Sequence, residues 1–169
     1  MICFATHRPA LLVGHDHQVI DYGTDWLQQA LNRASKAAGH DNLPFADDIT
    51  KGIVDFLENH CPLNLLPLQD LYRKLQSTLE KLGRKDVARQ LTVLAPPLEV
   101  SLTELLEQQT TPHEILFFEA LRLKTENLKL AGAENLSFPD LRPTVLKLVG
   151  TKRWTKSCAQ LEDQILSYA

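Results

Sequence analysis

The chain is poor in cysteine, poor in aromatic residues, and without a long apolar run. Cys3, Cys61 and Cys158 are its only cysteines, an odd number at wide spacing, which excludes a disulfide framework as the organising device. Aromatic residues make up 7% of the sequence while leucine dominates the apolar set, a composition that favours helices over sheets. No apolar run approaches the roughly 18 residues needed to cross a bilayer, so no membrane association is expected. Met1 to Arg8 lacks the charged-then-apolar order of a secretory signal, and a reducing, cytoplasmic setting is the expectation. Neither sign of charge prevails. The net charge of −3 gives no bulk pull toward nucleic acid or an anionic membrane. Catalytic signatures are missing too: there is no Gly-x-Ser-x-Gly elbow, phosphate loop or His-Glu-x-x-His. His60-Cys61 places a thiol beside an imidazole, but neighbours on a helix point in different directions, so a structural role is expected. Cys3 and Cys158 read as small apolar residues. The expectation is a protein that is not an enzyme.

What is present is leucine at helical spacing. With 169 residues, 44% of them hydrophobic, the chain suffices for one ordinary domain or two small ones. Leu12-Val13-Gly14-His15-Asp16-His17-Gln18-Val19-Ile20-Asp21-Tyr22 reads as two short apolar strands around a polar turn. Gly14 and Asp16 tolerate positive φ, which gives a hairpin a mechanism. A helix is predicted from Asp25 to Ala38, with Thr24 as N-cap and Gly39 just past its end. Its Leu27, Ala30, Leu31, Ala34 and Ala38 share one face. A second helix, Asp47 to His60, buries Ile49, Ile53, Phe56 and Leu57 and stops at Cys61-Pro62. Gly52 in its interior costs about 1 kcal/mol against alanine, and tight packing is the expected compensation. Leu63 to Leu66 read as an apolar connector. Pro67 is then the first residue of a third helix carrying Leu68, Leu71, Tyr72, Leu75, Leu79 and Leu82 to Gly83. Asp86 to Ala95 is a fourth, ended by Pro96-Pro97.

The double proline is the expected boundary. Beyond it, Ser101 with Glu104 forms a capping-box pattern. Thr111, Pro112 and Glu114 form another, opening a long helix through Ile115, Phe118, Leu121 and Leu128 to Ala131. Phe138 to Val149 gives one short helix from Arg142. The last helix, Trp154 to Tyr168, carries Trp154, Cys158, Leu161, Ile165 and Tyr168 at the four-three spacing of a seam between helices. The fold class expected is mostly α (α+β): a small N-terminal hairpin capping a helical bundle over residues 1–95, and a helical extension over 97–169. Whether the two pack as one domain stays open.

The order hairpin, helix, helix, helix, short helix resembles the ATP-cone, the nucleotide-binding module attached to ribonucleotide reductases and their transcriptional repressor. That family opens on a strand pair of the form Val-Val-Lys-Arg-Asp-Gly-Arg-Val-x-Pro-Phe-Asp. Laid on it without a gap, Leu12-Val13 match the paired valines, Asp16 the turn aspartate, Val19 the second-strand valine, Tyr22 the aromatic, and Leu27 the first helical leucine. Leu82-Gly83 with Val87-Ala88 resembles the Leu-Gly-x-x-x-Val-Ala near the module's end. The resemblance spans residues 11–94 and implies ATP or dATP as ligand, with Arg8, Val13, His15, Asp16, His17 and Trp26 at the nucleotide positions. The sequence departs from the family where phosphate would be neutralised. Gly14-His15 stand for the Lys-Arg pair, His17 for the turn glycine, Trp26 for the early helical lysine, and Leu91 for a late aromatic. A triphosphate needs paired charge, and histidine, with an unperturbed pKa of about 6.5, is a weak substitute. The resemblance thus implies a retained fold with a degenerate nucleotide site.

Three further groupings have chemistry in them. His15-x-His17, with Asp16 and His7, has a usable ligand spacing, and His40 and His60 are the candidates to complete it; a solvated turn is the reading preferred, and no metal is expected. Arg142, Lys147, Lys152, Arg153 and Lys156 lie in a stretch without acidic residues around Trp154, a pattern that single-stranded nucleic-acid sites use. A solvated basic face is the reading preferred, with nucleic-acid binding as an alternative. Leu75 to Leu94 imitates a helix-turn-helix without its run of polar reading residues. The function expected is a binding or regulatory module acting on a protein partner or a second copy of itself. Its expected contact surface is Trp154, Leu161, Ile165 and Tyr168, with an adenine-nucleotide sensor as the other alternative.

Overall fold

Leu11 and Val13 alternate with Ala10 and Leu12, the period of two that divides a strand between two faces. In the computed structural model, which describes residues 8–111 and 113–169, this stretch is β1 (Ala10–Val13), with Leu11 and Val13 fully buried. It pairs antiparallel with β2 (His17–Val19) in the register Leu11 to Val19, Leu12 to Gln18 and Val13 to His17. Of the two residues expected to turn the chain, only Gly14 takes a positive φ, at 66°. Among the described residues there are eight α-helices and five short strands, so the chain is mostly helical with a small N-terminal sheet, as expected. No helix among them is long and apolar enough to cross a membrane.

The chain forms two compact units, one of Met1–Pro97 with Ala131–Glu134, the other of Leu98–Leu130 with Asn135–Ala169. In the first, α1 (Asp25–Ala37) buries Trp26, Leu27, Ala30, Leu31 and Ala34. Thr24 makes no side-chain cap; its carbonyl takes the Leu27 and Gln28 N–H groups instead. At the other end Gly39 (φ 85°) donates to Lys36 O, and His40 to Ser35 O, each at 3.0 Å. These bonds satisfy carbonyls that the helix end leaves open. α2 (Ala46–Asp55) continues into one π-helical turn, Phe56–His60, and the chain becomes extended at Cys61 before Pro62. Gly52 is not tightly packed: a Cβ there would meet nothing within 4 Å.

The expected connector is partly a strand. β3 (Leu65–Pro67) lies parallel to β1, giving the order β2-β1-β3. Pro67 ends this edge strand, where a missing N–H is tolerated, instead of opening the third helix. That helix, α3 (Leu68–Lys81), buries Leu68, Leu71, Tyr72, Leu75 and Leu79, whereas Leu82 just past it is exposed. α4 (Lys85–Gln90) stops five residues short of the predicted end because Leu91 turns extended, with ψ at 118°. The strand-like run that follows is anchored by Tyr72, whose hydroxyl donates to Leu94 O (2.7 Å) and accepts from Leu94 N–H (3.0 Å). Ala95 N–H donates to Gly132 O at 2.9 Å, tying the returning segment to the same unit.

In the second unit, β4 (Leu98–Glu99) pairs parallel with β5 (Leu136–Ser137). Four helices complete it: α5 (Leu102–Glu107), α6 (Glu114–Leu130), α7 (Leu141–Val149) and α8 (Lys156–Tyr168). Ser101 caps α5 as predicted, its Oγ accepting Glu104 N–H at 3.2 Å. Asp140 completes that cap by accepting the Leu102 and Thr103 N–H groups at 2.9 Å and the Ser101 hydroxyl at 2.7 Å. α6 begins later than the Thr111 cap implies, with His113 O accepting Phe117 N–H; Pro112 lies outside the described residues. Its buried face is Phe117, Leu121, Thr125 and Leu128, and Ile115, the first apolar residue of the predicted helix, is 73% exposed. α8 starts after Trp154, capped by Thr155.

Candidate functional site

The residues expected at a nucleotide site lie before and along the hairpin and at the start of α1, and the side chains of Arg8, Val13 and Trp26 are already engaged in the fold. Val13 and Trp26 belong to the core, with 0% and 4% of their surface exposed. The Trp26 indole N–H donates to Gly23 O at 2.6 Å, and its ring meets Tyr72 with centroids 6.3 Å apart. Arg8 Nε donates to Glu58 at 2.8 Å, a half-buried ion pair, and Arg8 also reaches Tyr22 O at 3.4 Å. Tyr22 is buried and its hydroxyl donates to Pro9 O at 2.7 Å; burial pushes its pKa up, against the opposing pull of Arg8. Arg8, Glu58 and Tyr22 thus staple the hairpin to the π-helical turn after α2. His15 and Asp16 are exposed at the hairpin tip and His17 is half-buried.

The metal grouping does not assemble among the described residues, where no three histidine, cysteine or acidic side chains converge. His40 contacts Asp86 at 2.5 Å and His60 contacts Asp55 at 3.3 Å, so each of these histidines has a carboxylate partner of its own. His7 and Cys3 lie outside the described residues. The hydrogen bond from His40 holds the Asp86 carboxyl below the ordinary carboxylate range.

The predicted contact seam on the last helix is corrected. Leu161 (6% exposed) and Ile165 (0%) are core residues, as is Cys158, because α8 packs on α7 and α6 with this face inward. Trp154 and Tyr168 alone of that set reach the surface. Tyr168 stacks edge-on with Phe118 at 5.1 Å and lines a cavity of about 450 Å³ with Asp163, Gln164 and Ser167. In the basic segment, the Arg142 guanidinium lies over the Trp154 ring at 4.7 Å, and Lys147 pairs with Glu107 at 3.1 Å. Lys152, Arg153 and Lys156 are exposed. One face of Trp154 is therefore already occupied by a cation of the same chain.

A groove missed in the sequence lies between α2 and α3. It holds about 440 Å³ and is lined by Phe45, Asp48, Ile49, Gly52, Ile53, Thr78 and Leu82. Ile49 and Ile53 are buried, whereas Phe45 and Leu82 are more than half exposed. Thr78 spends its hydroxyl on Lys74 O at 2.9 Å, leaving the Asp48 carboxylate as the groove's charged group. The local signal was Gly52 itself, a glycine inside a helical pattern. No protein-family model, no curated protein and no solved structure matches the chain.

Proposed function

We propose that the chain is a non-enzymatic binding module, ATP-cone-like over residues 11–94 and set in the cytoplasm, that acts through a protein partner rather than through ATP or dATP. Its contact surface in this reading is the α2–α3 groove. The occupant is an amphipathic peptide segment of the partner, with bulky apolar side chains for the groove and a basic residue to meet Asp48. The observation that carries the reading is Gly52. A helix-interior glycine costs about 1 kcal/mol relative to alanine, and here nothing packs where its side chain would be. What the glycine leaves is apolar space flanked by exposed Phe45 and Leu82, and exposed apolar concavities are where partners dock. A hairpin followed by three helices and a short fourth is the order on which this reading leans, with β3 added between α2 and α3. At the nucleotide positions, Val13 and Trp26 are core and the Arg8 charge is met by Glu58, which argues against a live triphosphate site.

The test is an amide-shift titration of the full chain. One arm uses a basic amphipathic helical peptide as probe, the other magnesium with ATP or dATP at millimolar concentration. The expected result is shifts at Phe45, Ile49, Gly52 and Leu82 with the peptide, lost in Gly52→Leu, and no change of Tm with nucleotide. A nucleotide at 100 times its Kd would add about 2.7 kcal/mol of stability. That gain, with shifts at Gly14, His15 and Trp26, would replace this reading with the adenine-nucleotide sensor.

A further inference from the structure

α6 carries two apolar stripes, and the fold uses one of them. Phe117, Leu121, Thr125 and Leu128 face the core of the second unit. On the opposite side Leu116, Leu123 and Leu130 are 52%, 54% and 89% exposed. They are seven residues apart, a spacing that drifts by only about 20° per repeat around a straight helix. Half-buried Ala120 and Asn127 sit four residues after the first two leucines. The exposed stripe therefore reads Leu-x3-Ala-x2-Leu-x3-Asn-x2-Leu, the alternating four-three spacing of a coiled-coil seam. In that register the three leucines hold d positions, and Ala120 and Asn127 hold a positions. Leucine at d with an asparagine at one a position is the arrangement that fixes register in parallel two-stranded pairs.

The flanking charges point the same way. Glu119 and Glu126 occupy g positions and Lys124 an e position. Arg122 holds both glutamates along the outer edge of the seam, 2.8 Å from Glu119 and 3.0 Å from Glu126. Two copies of α6 packed parallel bring Glu119 of one helix to Lys124 of the other, twice over, because g faces the next e across such a seam. Antiparallel packing sets g against g, glutamate against glutamate, which is repulsive.

We propose that this exposed face of α6 is a self-association seam, occupied by α6 of a second copy of the chain in parallel, two-fold packing. The inference stands apart from the α2–α3 groove and does not depend on it. With five seam positions per helix the contact is short, so the dimer is a weak one that forms with concentration.

Analytical ultracentrifugation of the full chain over a range from about 5 to 200 μM tests it. The expected result is a rise from 19.1 kDa toward twice that mass. Leu123→Glu is expected to stay at the single-chain mass with an unchanged melting profile, since Leu123 is exposed in the single chain. Glu119→Lys and Lys124→Glu are each expected to weaken the dimer alone and to form a mixed dimer when combined, a rescue that no effect inside one helix explains. If Leu123→Glu fails to fold, the charge-exchange mixture decides alone. A wild-type chain that is monomeric throughout, a dimer that survives Leu123→Glu, or a mixture without rescue overturns the proposal. So does a monomer whose α6 face is instead taken by lipid vesicles or a different protein.

Discussion

The Tyr72 hydroxyl satisfies both backbone groups of Leu94, donating to its carbonyl at 2.7 Å and accepting its N–H at 3.0 Å, across 22 residues of chain. Both ends of this contact are buried, so the phenol closes a break in backbone pairing that the early end of α4 creates.

Tyr72→Phe keeps the ring against Trp26 and removes only the oxygen. It leaves a buried N–H and a buried C=O without a partner, and unpaired buried polar groups cost about 1–3 kcal/mol each. The expected loss is at least about 2 kcal/mol, read from urea unfolding. Burial, opposed by the Leu94 hydrogen bond, pushes the Tyr72 pKa up to about 12. An unfolded tyrosine ionises near 10, so this stability is whole below pH 10 and falls as the pH rises toward 12. The phenylalanine variant is expected to lose that part of the alkaline slope. An unchanged slope would remove Tyr72 from the account.

Asp140 behaves in the opposite sense. Burial works against its charged form, but hydrogen bonds from Ser101, Thr103 and Leu102 outweigh it and hold the carboxyl below the ordinary range. Its contribution is therefore present above about pH 4 and is lost as the pH falls through the folded value. Asp140→Ala is expected to cost about 1–2 kcal/mol at pH 7, the scale of a lost helix cap. The difference from wild type should shrink at pH 3, measured by denaturant midpoints at the two pH values.

The sequence made legible what depends on neighbours along the chain. The hairpin, the α1 face, the Gly39 and Gly83 stops and the Ser101 cap each follow from residues within a few positions of one another. The short strands outside the hairpin do not. β3, β4 and β5 are too short to show alternation, and they exist because β1 and β4 or β5 offer them a backbone to pair with. α4 ends before the predicted Ala95, where a distant phenol takes both backbone groups of Leu94. Leu121 and Leu128 of the predicted long helix are buried, whereas Ile115 is exposed and Phe118 half-buried, because so many apolar residues lie on α6 that periodicity alone does not say which are covered. The Leu161–Ile165 spacing does mark a contact between helices, but the contact is inside the second unit and not with a partner. The α2–α3 groove depends on what two helices leave uncovered, which no local pattern states.

Gly132 marks a place where the chain leaves no room. Its φ is 102°, and a Cβ would sit 2.5 Å from Val93 O. Strain at such a φ costs of order 1–3 kcal/mol for a residue with a side chain, and the clash with backbone adds to it. Gly132→Ala is expected to destabilise the first unit by more than about 2 kcal/mol, measured by amide exchange at Ala95, whose N–H bonds Gly132 O. Normal protection there would mean that the segment shifts without loss.

Gly52 makes the contrary case, because its backbone accepts any residue and its surroundings are open. Gly52→Ala removes the helix penalty and is expected to stabilise the chain by about 0.5–1 kcal/mol. In a protein of this size that is a rise in Tm of about 1–4 °C. The added methyl also enters the space between Phe45 and Leu82, so the same variant is expected to bind the amphipathic peptide probe less well, and Gly52→Leu hardly at all. Stability and binding then move in opposite directions at one atom's position. A glycine that served only the helix would give the first effect without the second, and calorimetry of the peptide with all three chains separates the two.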